Sequence, residues 1–336
     1  MAVTISPYAS DALPEGTVDV AVIGGGAAGL NGALMLARSR RSVVVIDSGS
    51  PRNAAAEATH GFIVLDGTPP PEILRRGREQ VRQYGGRIVF GEVAAARSAA
   101  ATDGDLRFTL TLADGRSVSA RRVLVATGLK DVLPQVPGLW QHWGRSVVHC
   151  PYCHGWEVRD EPIGILATGP ASIGHAFLFR QLTEDLIFFA QGTDLDEATR
   201  TRFAARDIRI VDTPVREVVN DEDGALAGAR LADGQVVARR VLAVATRMEA
   251  RTEGLEGLKL PTQDLPDNMG RGFATGMAGT TEVPGVWVAG NATDLAAQVG
   301  AAAAAGALAG AHINSVLATA DTDAALTAAR GDAPTP

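Results

Sequence analysis

The chain has 336 residues, 46% of them hydrophobic and 21% charged, with a formal net charge of −7. At about 150 residues per domain this is roughly two domains, with cores large enough to need no staples. The composition excludes a mainly disordered chain, and the acidic balance gives no footprint for nucleic acid or for polybasic docking to a membrane.

Residues 1–17 read as a loose leader, without the basic start and apolar run of a signal peptide. Residues 18–23 form a short apolar run closed by Gly24-Gly25-Gly26, which reads as a buried parallel strand. A helix over 27–38 and a second buried strand over 42–46, ended by Asp47, complete the opening of a doubly wound sheet. A helix over 69–84 starts on prolines and stops at Gly85-Gly86. Strand-like pieces follow at 87–93, 106–112 and 117–120, with a hairpin turn at Ala113-Asp114-Gly115. A buried strand at 123–126 and a connector at 134–138 come next.

The pattern then restarts. A strand at 163–167, a turn at Gly169, a helix over 172–182 and a strand at 186–190 precede a hairpin turn at Ala232-Asp233-Gly234 and a strand at 241–245. The order strand–helix–strand, hairpin, strand thus occurs twice. It predicts an α/β fold of two Rossmann-like three-layer domains, the second inserted into the first: 1–140 with 250–336, and 141–249. A last strand at 286–289 leads through Gly290-Asn291 into a helix over 295–317. The small-residue run 296–311 is too weakly apolar for a membrane span, and the residues past 321 read as a polar, Ala-rich tail.

Gly24-Gly25-Gly26-Ala27-Ala28-Gly29 fits G-x-G-x-x-G between a strand and a helix. Gly24 allows the tight turn, Gly26 lets backbone approach a pyrophosphate, and Gly29 lets helix and strand pack closely. The phosphates would sit on free N–H groups at the helix start. Asp47 stands where an acid accepts hydrogen bonds from a ribose hydroxyl.

Only two cysteines occur, which excludes a secreted disulfide framework. They lie in His149-Cys150-Pro151-Tyr152-Cys153-His154-Gly155-Trp156-Glu157. Two cysteines at this spacing can close a small-loop disulfide and exchange with other thiols, the thiolate being the attacking form. Either flanking histidine can stabilise a thiolate or carry a proton near neutral pH. A zinc site is the competing reading, but it needs four well-spaced ligands, and no second pair exists. No metal is therefore expected. A structural staple stays open, though such staples are rare inside cells.

The early glycine fingerprint, the Ala126-Thr127-Gly128 that ends a mid-chain strand, the Cys-x-x-Cys and Ala289-Gly290-Asn291 together resemble the low-molecular-weight thioredoxin reductase family over residues 18–317. The variant Cys-Pro-Tyr-Cys-His-Gly-Trp-Glu is similar to a subgroup, the FAD-dependent dithiol oxidases that close disulfides in natural products such as gliotoxin and holomycin. The resemblance implies FAD. Gly24, Gly26, Ala28 and Gly29 would hold its pyrophosphate, and Asp47 its ribose. Val93 would lie near the adenine. Ala126, Thr127 and Gly128 would pass beside the cofactor. Asn291 stands where the reductases carry an Asp on the ribityl chain, and Gln298 and Val299 match the segment that meets the flavin ring at a helix start. It also implies that Cys153 faces the flavin and Cys150 exchanges with substrate. His154 replaces the reductases' acid and is the expected proton carrier, with His149 second and His60 as a loop residue bordering the flavin. A homodimer in the cytoplasm is expected.

The inserted domain departs from the reductase pattern. Ala167-Thr168-Gly169-Pro170-Ala171-Ser172 has Ala for the first glycine, and Pro170 lacks an N–H for a phosphate cradle. Phe188-Phe189-Ala190-Gln191-Gly192-Thr193-Asp194 has no cation for a 2′-phosphate, and Ala245-Thr246-Arg247 has no closing glycine. The expectation is that a small-molecule dithiol, not NADPH, supplies the electrons, and that molecular oxygen takes them as hydrogen peroxide. The alternatives are an NADPH- or ferredoxin-dependent thioredoxin-disulfide reductase, and a flavin redox sensor without turnover.

Overall fold

The computed structural model describes residues 10–99 and 105–331. The chain opens with β1 (Thr17–Ile23), α1 (Ala27–Arg38), β2 (Val43–Asp47), α2 (Pro70–Gln83) and β3 (Arg87–Phe90). Pro70 suits the first turn of α2, where its missing N–H has no intrahelical partner to lose. β4 (Val93–Ala99), β5 (Arg107–Leu112) and β6 (Ser117–Val125) follow. The expected strand 87–93 is two strands. It breaks at Gly91, where a Cβ would stand 2.7 Å from Leu112, and β4 leaves to pair antiparallel with β5. The expected pieces 117–120 and 123–126 are one strand. Its first half pairs antiparallel with β5, and its last three residues pair parallel with a strand from the end of the chain.

The chain then crosses through β7 (Leu129–Val132) into β8 (Val147–Val148), α3 (Pro151–His154), β9 (Ile163–Leu166), α4 (Ala171–Phe179), β10 (Leu186–Phe189), α5 (Glu197–Ala204) and β11 (Arg209–Val211). A three-stranded meander of β12 (Val215–Asn220), β13 (Leu226–Leu231) and β14 (Val236–Ala238) leads to β15 (Val241–Val244). It returns through β16 (Arg247–Ala250), β17 (Thr262–Leu265), β18 (Gly270–Phe273), β19 (Val286–Val288) and α6 (Val299–Gly331).

A seven-stranded mixed sheet and a five-stranded parallel sheet result. The parallel part of the first runs β3-β2-β1-β6 with β19 also on β6, and β5 and β4 extend it antiparallel; the second runs β11-β10-β9-β15-β8. Both have the same layout, but the fifth strand comes from after the unit in the first and from before it in the second. β7 and β16, the two crossings, pair antiparallel within a four-stranded sheet β17-β18-β16-β7. The central strands are buried on both faces, as parallel sheets covered by helices require. Aliphatic residues with Phe108 and Phe273 fill the first core; Phe179, Phe188, Phe189 and Phe203 fill the second.

α6 differs from expectation at both ends. Residues before Val299 form a turn, with the Ala297 N–H donating to the Asp294 carbonyl at 3.0 Å. The expected tail continues the helix to Gly331, held where Asp321 accepts from Arg41 at 2.6 Å and Arg121 at 2.7 Å. Residues Val299–Arg330 are also long and apolar enough to cross a membrane by length and composition, contrary to the reading of 296–311. The apolar residues Ala302, Ala309, Ile313 and Leu317 instead lie in the core shared with α1. Glycines bring the two helices together: a Cβ on Gly306 would overlap the Ala28 carbonyl, and one on Gly310 would stand 2.6 Å from that of Gly32.

Candidate active site

The first glycine turn is built as its spacing demands. Gly24 has φ +104°, and a Cβ there would strike the Ala126 carbonyl. A Cβ on Gly29 would overlap the Gly24 carbonyl, so α1 packs directly on the turn. Gly26, the residue before α1, has open space where its Cβ would be. The N–H groups of the first turn of α1 have no partner inside the helix and meet that space. The fingerprint leaves the second position open to any residue, yet a Cβ on Gly25 would collide with Asp47.

This turn forms one wall of a cleft with about 1600 Å³ of empty space, open mouth included. Asp47 lines it and is buried, its Oδ2 accepting from Arg78 at 2.9 Å and its Oδ1 from the Gly49 N–H at 3.0 Å. Each oxygen keeps a lone pair for a ribose hydroxyl. Ala28, Ala126, Thr127, Gly128, Asn291, Gln298 and Val299 all line the cleft. Thr127 donates to the Arg251 carbonyl at 2.8 Å, which ties the Ala-Thr-Gly segment to the returning strand. Gln298 and Val299 lie at the start of α6, beside the loop of His60 and Gly61.

Val93 is placed elsewhere. Its side chain lies in the core of the first domain and its carbonyl is pressed against Gly254, so it is not among the residues that line the cleft.

The other wall carries the cysteines. Cys150 and Cys153 form a disulfide with Cα atoms 5.2 Å apart, and both line the cleft. Cys150 is extended and caps α3, its Sγ accepting from the Cys153 N–H at 3.2 Å, and Pro151 takes the first helical position. A Cβ on Gly155 would strike the Pro151 carbonyl and Leu182, so glycine lets this turn press onto the segment that follows α4. Tyr152 and Trp156 are about two-thirds exposed beside it.

The three expected histidines all reach the cleft but differ in surroundings. Both ring nitrogens of His154 are buried without a partner among the described residues. Burial pushes its pKa down, opposed by Glu157. His60 lies between Asp66 (3.5 Å) and Glu157 (3.4 Å), which joins the first domain to the cysteine segment. His149 Nδ1 lies 3.0 Å from the Val244 carbonyl. Burial and then the Arg52 charge lower its pKa. Beside it His175 packs at 5.4 Å between ring centres, its pKa pushed down to about 4 by burial and by His149.

Arg52, Arg78 and Asp131 carry no mark in the sequence. Arg52 and Asp131 line the cleft and are joined by two 2.7 Å bonds. Burial alone would raise the Asp131 pKa, but Arg52 and the Thr246 hydroxyl outweigh it and hold the carboxyl low. These partners are 79 and 115 positions from Asp131, so no local spacing signals them.

At the second glycine turn Gly169 also has open space where a Cβ would stand, but neighbouring N–H groups are taken by the chain itself. The Thr168 N–H donates to Ser172 Oγ at 3.0 Å, and Ser172 is fully buried. The N–H groups of Ser172 and Ile173 turn back to the carbonyls of Gly169 and Pro170. After β10, the Gln191 side chain is bound to the backbone of Val215 at 2.6 and 3.4 Å.

The family model described as pyridine nucleotide-disulphide oxidoreductase matches residues 18–307. The chain is 35% identical over 248 residues to thioredoxin reductase tcpT of Claviceps purpurea (strain 20.1), covering 72% of this chain and 77% of that protein. Other curated thioredoxin reductases are matched over about half their own length. The solved structure of HlmI superposes with a TM-score of 0.88 at 41% identity, covering 96% of this chain and 99% of that one. An oxidoreductase from Agrobacterium tumefaciens gives 0.82 at 32% identity, covering 90% and 99%. With a glycine turn facing a cysteine pair across one cleft, the chain belongs to the pyridine nucleotide-disulphide oxidoreductase family and is a thioredoxin reductase-like flavin oxidoreductase.

Proposed function

We propose that this protein oxidises a small organic dithiol to an intramolecular disulfide through Cys150–Cys153, with FAD as cofactor and molecular oxygen as final acceptor. The cleft fits FAD: the open glycine turn suits a diphosphate, Asp47 a ribose, and the buried Thr59 hydroxyl and His154 ring, without partners among the described residues, suit polar groups of a ligand. Bound FAD would accept two electrons from the reduced cysteine pair and pass them to oxygen, giving hydrogen peroxide.

The chain's own residues handle thiols and protons. A substrate thiol attacks Cys150 Sγ, the Cys150–Cys153 bond breaks, and its electron pair stays on Cys153. His154 takes the proton, since neither of its nitrogens has a partner among the described residues and its lowered pKa keeps it neutral near pH 7. The second substrate thiol attacks the sulfur already bound to Cys150, which closes the substrate disulfide and releases Cys150. Tyr152 and Trp156 offer an apolar approach suited to a compact organic substrate.

The observation that carries the choice of electron donor is the second glycine turn. Its Thr168 N–H is capped by Ser172, and position 170 has no N–H to offer. A nicotinamide dinucleotide would lose phosphate contacts worth roughly 1.5–3 kcal/mol each. The name of the relative tcpT favours a second reading, a thioredoxin reductase. The test is oxygen uptake and peroxide formation with a panel of small dithiols. Uptake without NADPH supports the oxidase, whereas a strict need for NADPH supports the reductase.

A further inference from the structure

We infer that Asp131 is a positioning residue for the redox pair, acting through Thr246 on His149. Asp131 stands on β7, its side chain 4% exposed and gripped by Arg52. The Thr246 hydroxyl donates to Asp131 Oδ1 at 2.7 Å. With its hydrogen committed there, the hydroxyl turns a lone pair toward His149 Nδ1, 3.4 Å away. The Val244 carbonyl faces the same nitrogen at 3.0 Å and can only accept. Two acceptors keep a proton on Nδ1, against the Thr246 N–H at 3.3 Å. Nε2 is then the lone-pair nitrogen of a residue that lines the cleft next to Cys150. Fixing one ring nitrogen to set the basicity of the other is a general use of such partners.

The inference rests on the thiol exchange proposed above, but not on oxygen as acceptor. When the second substrate thiol attacks the mixed disulfide, the new substrate S–S bond forms and the bond to Cys150 breaks. The thiol proton passes to His149 Nε2 and on to the departing Cys150 thiolate. Arg52 and Asp131 from the first domain and crossing strand, His154 from α3 and His175 from α4 are the titratable groups that face His149.

The test mixes the holoenzyme with dithiothreitol without oxygen, quenches with an alkylating agent, and follows the dithiothreitol adduct on Cys150 by mass spectrometry across pH. Thr246→Val is expected to slow resolution of the adduct about tenfold, whereas Thr246→Ser keeps the wild-type rate. Asp131→Asn is expected to slow it as well and to move the acid limb to lower pH, because the Arg52 charge is left unopposed. Should Asp131→Asn fail to fold, the two threonine variants still decide. Equal rates in Thr246→Val and wild type, or equally slow rates in Thr246→Val and Thr246→Ser, would overturn the inference. No oxygen enters, so a failed oxidase reading, shown by absent peroxide, leaves this result intact.

Discussion

Gly24, Gly25 and Gly29 stand where a Cβ would strike backbone or Asp47, whereas Gly26 faces the open cleft. Fixed spacing around a turn made three of these four legible in the sequence. The cysteines and their flanking histidines were legible for the same reason, being contiguous. Arg52 and Asp131 were not, because their roles depend on partners brought together by the two crossing strands. Replacing Cys153 by Ser is expected to abolish dithiol turnover while flavin stays bound, as judged by oxygen uptake and the visible spectrum. His154→Gln is expected to slow turnover about 10²–10⁴-fold, the usual worth of a proton-transfer group, in steady-state kinetics. His175 adds a pH dependence of stability. Its native pKa is about 4, below the ~6.5 of an unfolded chain. The unfolded chain therefore binds more protons between those values, so its stabilising contribution is full above pH ~6.5 and falls as pH drops toward ~4. The loss is on the order of 3 kcal/mol at most. Denaturant titrations of His175→Leu should show a flatter slope in that window; an unchanged slope would contradict the assignment.

At the scale of elements, the strands at 18–23, 42–46, 123–126, 163–167, 186–190 and 241–245 were legible as short apolar runs, whereas β8, with two residues, β11, with three, and α5 were not. The crossing sheet was not: β7, β16, β17 and β18 have four residues each, too few for a period to show. The end of α6 was hidden because ion pairs from Asp321 hold it, rather than an apolar face. Its contact with α1 depends on glycine. Gly306→Ala is expected to destabilise by roughly 1–3 kcal/mol or more, because its Cβ meets backbone that cannot rotate away. Gly174→Ala, in an exposed turn of α4 with open space around it, is expected to stabilise by about 0.5–1 kcal/mol. Chemical denaturation of the pair checks both signs.

At the scale of the whole molecule, one architecture occurs twice with different fates. The first unit keeps its glycine turn open on the cleft, whereas in the second Ser172 takes the Thr168 N–H and Pro170 has none to offer. The cysteine pair belongs to the second unit yet lines the cleft of the first, with His60 and Glu157 bridging the two. The most direct measurement is anaerobic titration of the flavin-loaded protein, following the visible flavin absorbance. A dithiol is expected to bleach it through Cys150–Cys153 while NADPH leaves it oxidised. Saturating bleaching by NADPH, at a rate that supports turnover, would contradict this expectation.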